Sequence, residues 1–207
     1  MIYSDNMDNG NSYRHILKWG DKHEESVSHH MAEVIKEKFG LKDEDFSRKH
    51  LPGTESVKLE KPSMLKPAQV DFFKNICGSE NVKTDDVSRA SFSCGKFYGE
   101  LLDLRLGLVP DPPDAVVAPR THNEVVQIIE FCTAERIAVV PAGGLSSVTG
   151  GVRAPRGGIA LDLTKHLNRV LSVSKINKTV TVQAGMYGPA LEEELNRQGY
   201  SCGHFPQ

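Results

Sequence analysis

Two stretches of this chain hold residues whose types and spacing can do chemistry. The first is Pro141-Ala142-Gly143-Gly144-Leu145-Ser146-Ser147-Val148-Thr149-Gly150-Gly151, where four glycines and three hydroxyl residues crowd together. Glycine permits backbone angles that other residues avoid. Successive N–H groups pointing one way form a nest for an anion, and hydroxyls add donors. The chemistry on offer is the binding of a phosphate or pyrophosphate; the plainer alternative is a tight surface loop. The second stretch is Gly203-His204-Phe205-Pro206-Gln207. A histidine there suits proton transfer to or from an oxygen; the plainer alternative is a histidine that packs or hydrogen-bonds at a loop.

The elements that must position these residues are legible in the hydrophobic pattern. Asp114 to Pro119 reads as a strand, near 115–118. Thr121 and Glu124 make a capping box, and Val125, Ile128, Ile129 and Cys132 follow at helical spacing, which predicts a helix over 122–135. Ile137-Ala138-Val139-Val140 reads as a buried strand running into the glycine loop. Three more strands are expected, near 159–163, 169–173 and 179–183. Ala184-Gly185 interrupts, and Gly188-Pro189 opens a helix over 188–198 with Pro at its first position. Leu191 and Leu195 share a face of that helix, and Gly199 stops it. Asp162 reads as structural, and the Glu192-Glu193-Glu194 run as the solvated face of its helix.

From about residue 114 onward this succession resembles the first part of the FAD-binding domain of the vanillyl-alcohol-oxidase superfamily, the PCMH-type domain. The ensemble carries the likeness: strand, capped helix, Pro-x-Gly-Gly-x-Ser-Ser-Val, Leu-Asp-Leu-x-x-x-Leu-Asn-Arg-Val, Val-x-Ala-Gly and Leu-x-x-x-Leu. Within the superfamily the sequence is most like the alkylglycerone-phosphate synthase family. Leu17-Lys18-Trp19-Gly20 resembles that family's N-terminal Met-Lys-Trp motif. Phe97 to Gly107 resembles the helix before its FAD domain, and Gly199-Tyr200-Ser201-Cys202-Gly203-His204 resembles its Gly-Tyr-x-x-Gly-His segment. The resemblance implies FAD as cofactor, with Pro141, Ala142, Gly143, Gly144, Leu145, Ser146 and Ser147 at its pyrophosphate, and His204 in catalysis beside the flavin. Leu145 stands where the family usually has a third glycine and Ser146 where it has threonine. Serine keeps the donor; Leu145 must point its side chain away from the cofactor. Phe205 and Gln207 differ from the acidic residues often found in the synthase.

The fold class expected is therefore α/β (α+β), with a mainly helical N-terminal extension over 1–110. The N-terminal, incomplete part of a PCMH-type FAD-binding domain follows over 111–207. Val27, Met31, Val34, Ile35 and Phe39 recur at helical spacing before Gly40. Val70, Phe73 and Ile76 make a second helix face ended by Gly78, and Phe97, Leu101, Leu102 and Arg105 a third, broken by Pro110, Pro112 and Pro113. Lys61 to Pro67 reads as a linker.

Composition narrows the function classes. The net charge is -2 with both signs interspersed, which does not suggest a nucleic-acid partner. No run approaches the roughly 18 apolar residues of a membrane span. Met1 to Ser12 lacks the apolar core of a secretion signal, and Cys77, Cys94, Cys132 and Cys202 form no Cys-x-x-Cys pair. Reduced buried thiols in a cytoplasmic protein are expected. Adjacent His29 and His30 would point about 100 degrees apart on a helix, so no metal is expected.

Two enzyme classes follow from the resemblance. One exchanges the acyl group of acyl-dihydroxyacetone phosphate for a fatty alcohol, a net non-redox step of ether-lipid synthesis. The other is an FAD-linked oxidase or dehydrogenase of a small 2-hydroxy acid. Substrates are accordingly lipid-like or small hydroxy acids, and a homodimer is a compatible assembly. The family continues beyond the point matching Gln207 with the rest of its flavin domain and a cap. A third reading is thus a non-catalytic truncated remnant.

Overall fold

The computed structural model describes residues 10–17, 28–46 and 55–204. Trp19 and its neighbours, Val27, and Phe205, Pro206 and Gln207 lie outside the described residues. In chain order the elements are α1 (Tyr13–Leu17), α2 (His29–Phe39), α3 (Asp43–Phe46), α4 (Pro67–Cys77), a 3-10 turn (Ser79–Asn81), β1 (Val82–Lys83), α5 (Asp86–Ser91) and α6 (Tyr98–Arg105). They continue with β2 (Ala115–Val117), α7 (His122–Glu135), β3 (Val139–Ala142), β4 (Ile159–Asp162), β5 (Val170–Ser174), β6 (Thr179–Val182) and α8 (Gly188–Arg197).

Local chemistry fixes most boundaries. Thr121 caps α7 by accepting the Glu124 N–H at 3.2 Å. Glu124 returns its carboxylate one residue further back than a capping box requires, to the Arg120 N–H at 2.7 Å. Pro67 opens α4, where a missing N–H costs nothing. Gly40 ends α2 in the left-handed region at φ 63, which spares the Cβ penalty.

A four-stranded sheet has the order β1-β2-β4-β3. β2 and β3 both pair parallel with β4, while β1 pairs antiparallel with β2 through Val82 and Val117. β1 has two residues, too few to leave a periodic signal, so the sequence gives no sign of it. The other difference is at β3. The strand begins at Val139 and runs on into Pro141 and Ala142. Arg136 takes a left-handed turn at φ 56, and the ladder starts with Val139 opposite Ile159. Proline is tolerated because β3 is the edge of the sheet.

The sheet carries one hydrophobic core: Phe73, Cys77, Val82, Ala115, Val117, Ile128, Cys132, Ile159 and Leu161. Phe131 of α7 stacks on Phe72 at 3.6 Å and meets Phe73 edge-on at 5.6 Å, so α4 and α7 pack together over it. A second core joins Tyr13, Ile16, Val57, Ala90, Cys94 and Leu104. It corrects the face expected for α6. Phe97 and Leu102 are exposed, whereas Leu104 and Glu100, four residues apart, turn inward. The expected linker is pinned: Arg89 Nη2 donates to the Lys61 carbonyl, and Asp114 Oδ1 accepts the Met64 N–H at 2.8 Å. β5 and β6 form a separate two-stranded ribbon.

Candidate functional site

β3, an edge strand of the sheet, runs on into the glycine loop. Pro141 and Ala142 belong to the strand, and Ala142 is buried; Gly144 and Ser146 are exposed, and Gly143, Leu145 and Ser147 half-buried. Residues 141–151 carry no charged side chain. Within the loop itself, attraction for an anion therefore rests on backbone N–H groups and hydroxyls. Leu145 adopts φ 54, a left-handed value. A non-glycine residue pays roughly 1 kcal/mol or more there. The loop thus has a glycine-type backbone at a leucine. Such left-handed turns are the conformations from which anion-binding concavities are built.

Ser147 organises the far half of the loop. Its Oγ accepts the N–H of Gly151 at 2.9 Å and lies 3.5 Å from Thr149 Oγ1. Its carbonyl accepts the Lys96 N–H at 2.6 Å.

A second segment reaches the loop after β6. Gly185 passes so close to β4 that a Cβ would stand 1.8 Å from the Leu163 carbonyl oxygen, and its N–H bonds the Leu167 carbonyl at 2.8 Å. Only glycine fits such a backbone approach, which explains the Ala184-Gly185 interruption. The consequence is at Gly144, where a Cβ would meet the ring of Tyr187 at 3.1 Å; at Gly143 the nearest atom is the Ala184 carbonyl oxygen, 4.0 Å away. Tyr187, half exposed, is the N-cap of α8. The loop and the start of α8 are therefore neighbours, separated by a tyrosine ring. Sequence reading did not single out Tyr187, since one tyrosine before a Gly-Pro leaves no pattern.

His204 is exposed and lines an open groove of about 660 Å³ with Gly188, Pro189, Glu192, Glu193, Asn196 and Arg197. Its approach is set by a residue expected to be solvated. Glu192 is buried; its carboxylate accepts the Ser201 hydroxyl and the Cys202 N–H, the latter at 3.0 Å. Glu193 and Glu194 do face solvent and pair with Arg197. The turn 199–203 is thereby folded back on α8, aided by the Tyr200 N–H to the Leu195 carbonyl at 2.9 Å. The position of Glu192 along the face of Leu195 was the signal available in the sequence. Gly144 is brought to Tyr187 and Gly143 to Ala184, and His204 to Gly188 and Pro189 on the next turn of chain.

Asp162 is structural in the local sense: its Oδ1 accepts the N–H and hydroxyl of Thr164 at 2.9 and 2.7 Å. Cys77, Cys94 and Cys132 are buried, and burial pushes each thiol from 9.0 up to about 11. Cys202 is exposed, against the expectation of buried thiols throughout. Among the described residues no group of His, Cys, Asp and Glu is arranged to hold a metal ion, and no helix is long and apolar enough to cross a membrane.

Comparison with known proteins bears on this geometry. Residues 113–207 match the family model of the FAD binding domain. The alkyldihydroxyacetonephosphate synthase of Trypanosoma brucei brucei is 30% identical over 185 residues, 86% of this chain and 30% of that protein. A solved structure of alkyldihydroxyacetonephosphate synthase superposes with a TM-score of 0.66 at 31% identity, over 70% of this chain and 30% of the other. The glycolate oxidase subunit GlcD of Bacillus subtilis is 40% identical over 74 residues, 36% of this chain and 16% of that protein. The chain thus spans under a third of the length of these relatives.

Proposed function

Because residues 113–207 belong to the FAD-binding-domain family, we propose that the full-length protein is an FAD enzyme of the alkyldihydroxyacetonephosphate synthase type. The observation that carries this is the reach of the likeness. It covers 86% of the chain, and so runs well upstream of the FAD-binding segment into the N-terminal helices.

The loop is suited to FAD. At Gly143 a Cβ would meet nothing nearer than the Ala184 carbonyl oxygen at 4.0 Å, Gly144 is exposed, and Leu145 has a left-handed backbone. FAD carries a doubly negative pyrophosphate, and burying that charge without donors is very costly. The N–H groups of Gly143 to Ser147 and the Ser146 hydroxyl would hold it. When bound, FAD supplies the ring system at which the substrate reacts.

The reaction we assign is exchange at acyl-dihydroxyacetone phosphate. The bond from its first carbon to the fatty carboxylate breaks, a bond to the oxygen of a fatty alcohol forms, and the alcohol's proton leaves. His204 would handle that proton at the alcohol or carboxylate oxygen, and Glu192, through Ser201 and Cys202, would hold the turn that presents it. Tyr187 would limit access of water to the loop.

The match to a glycolate oxidase subunit over 74 residues favours a second reading, oxidation of a small 2-hydroxy acid. Incubating the full-length protein with acyl-dihydroxyacetone phosphate and a fatty alcohol, beside a panel of hydroxy acids, separates the two. Alkyl ether formed together with free fatty acid supports the first; bleaching of the flavin by a hydroxy acid, with no ether formed, overturns it.

A further inference from the structure

The glycine loop is held from behind as well as by its own strand, and the residues that hold it lie outside the FAD-binding segment. Gly95 is buried against the loop: a Cβ there would stand 2.1 Å from the Ser147 carbonyl oxygen, so the backbone would have to move. Lys96 donates its N–H to that same carbonyl at 2.6 Å. Glu100, in the first turn of α6, completes the arrangement, for its Oε2 accepts the Gly95 N–H at 3.1 Å. Glu100 is 7% exposed, and its Oε1 is buried with no hydrogen-bond partner among the described residues. That side of the carboxylate faces the loop, with an oxygen 3.9 Å from where Gly150 would carry a Cβ. An unpartnered buried carboxylate oxygen is costly.

We propose that Glu100 is a positioning residue for the cofactor loop, acting through Gly95 and Lys96. The peptide link between Ser147 and Val148 is planar and trans, so its carbonyl and N–H point in opposite directions. Fixing the Ser147 carbonyl on Lys96 turns the Val148 N–H away from the brace and fixes the peptide that ends the run Gly143 to Ser147. The segment before the FAD-binding domain thereby sets cofactor affinity. The inference rests on the reading of the loop as the FAD pyrophosphate site.

The test is FAD titration of the full-length apoprotein, followed by flavin fluorescence, for wild type, Gly95→Ala, Glu100→Ala, Glu100→Gln and Cys132→Ala. Thermal melting is recorded for each. Gly95→Ala and Glu100→Ala are expected to weaken FAD binding about tenfold or more, the scale of one hydrogen bond to a charged group. Glu100→Gln keeps an acceptor for Gly95 and places a donor on the unpartnered side, so it is expected to restore affinity. Cys132→Ala, in the other core, is expected to lower the melting temperature without changing affinity. Wild-type affinity in both Gly95→Ala and Glu100→Ala overturns the proposal, as does a loss in Cys132→Ala that matches theirs. Should those variants fail to fold, hydrogen exchange on the wild type decides. FAD must slow exchange at Gly95 and Lys96, and unchanged exchange there overturns the proposal. A wild type that takes up no FAD sinks the reading beneath it, whereas FAD uptake with unaffected variants sinks the brace alone.

Discussion

Two hydrophobic cores among the described residues serve the glycine loop in different ways. The sheet core around Phe73, Ile128 and Ile159 reaches it along the chain, because β3 simply runs on into the loop. The second core, around Leu104 and Ala90, reaches it across space, through the contacts of Gly95, Lys96 and Glu100. One core supplies the scaffold and its stability. The other supplies conformation at a few backbone atoms. On the proposed reading, a loop without charged side chains holds its anion by where its N–H groups point, and the second core bears on that direction.

The contrast is greatest in core truncations. Phe73→Ala is expected to cost about 3–5 kcal/mol of global stability, the usual range for a buried phenylalanine, read by urea denaturation. Flavin affinity of the folded fraction should hold. Leu104→Ala, in the second core, is expected to cost about 2–5 kcal/mol and, unlike Phe73→Ala, to weaken FAD binding, because α6 also carries Glu100. Equal effects of both variants on affinity would erase the distinction between the cores.

His204 is exposed and belongs to neither core. His204→Ala in the full-length enzyme is expected to lower turnover roughly 100-fold, the scale of a lost general acid–base group, with FAD content unchanged. Full turnover would demote it to packing, and loss of FAD would move it to the cofactor bed.

Smaller effects are expected at the loop itself. Leu145→Gly relieves a left-handed residue but frees the unfolded chain. The net gain should be at most about 1 kcal/mol, with FAD binding retained; a measured loss of stability would show that the Leu145 side chain contributes packing. The thiols give a pH test of both cores. Unfolded Cys77, Cys94 and Cys132 ionise near 9.0, but burial holds them protonated in the fold up to about 11. The unfolded state then sheds protons first, so their stabilisation is complete below pH 9 and declines as pH rises toward 11. Denaturation midpoints flat across that window would contradict it. At neutral pH a maleimide should label the exposed Cys202 ahead of the other three.

The sequence was most readable where a side chain's local role is repeated along an element. Thr121 and Glu124 located the start of α7, and Pro189 that of α8, because caps act within one turn. The strands around Ile159 and Thr179 were visible because each is a short β-branched or apolar run. What stayed hidden was set by contacts between distant residues. β1 exists because Val82 finds Val117. Glu192 is buried because Ser201 and Cys202 fold back onto it, and its place three residues before Leu195 is a faint mark within a run of three glutamates. The face of α6 was misread because its inward turn is fixed by Glu100 and Leu104, one of them an acid, which a search for apolar periodicity passes over. For the candidate site, the glycines and His204 were legible as types. The Tyr187 ring and the Gly95 brace were not, since each is a single residue brought in by a long return of chain.

The central claim, that residues 143–147 hold the FAD pyrophosphate, is tested most directly by the flavin absorbance of purified full-length Gly144→Val beside wild type. At Gly144 even a Cβ would meet the Tyr187 ring at 3.1 Å, and a β-branched side chain must displace either the ring or the loop. The account predicts a yellow wild type with stoichiometric FAD and a colourless, folded variant. A Gly144→Val protein that is equally yellow, with one FAD per chain, would contradict it.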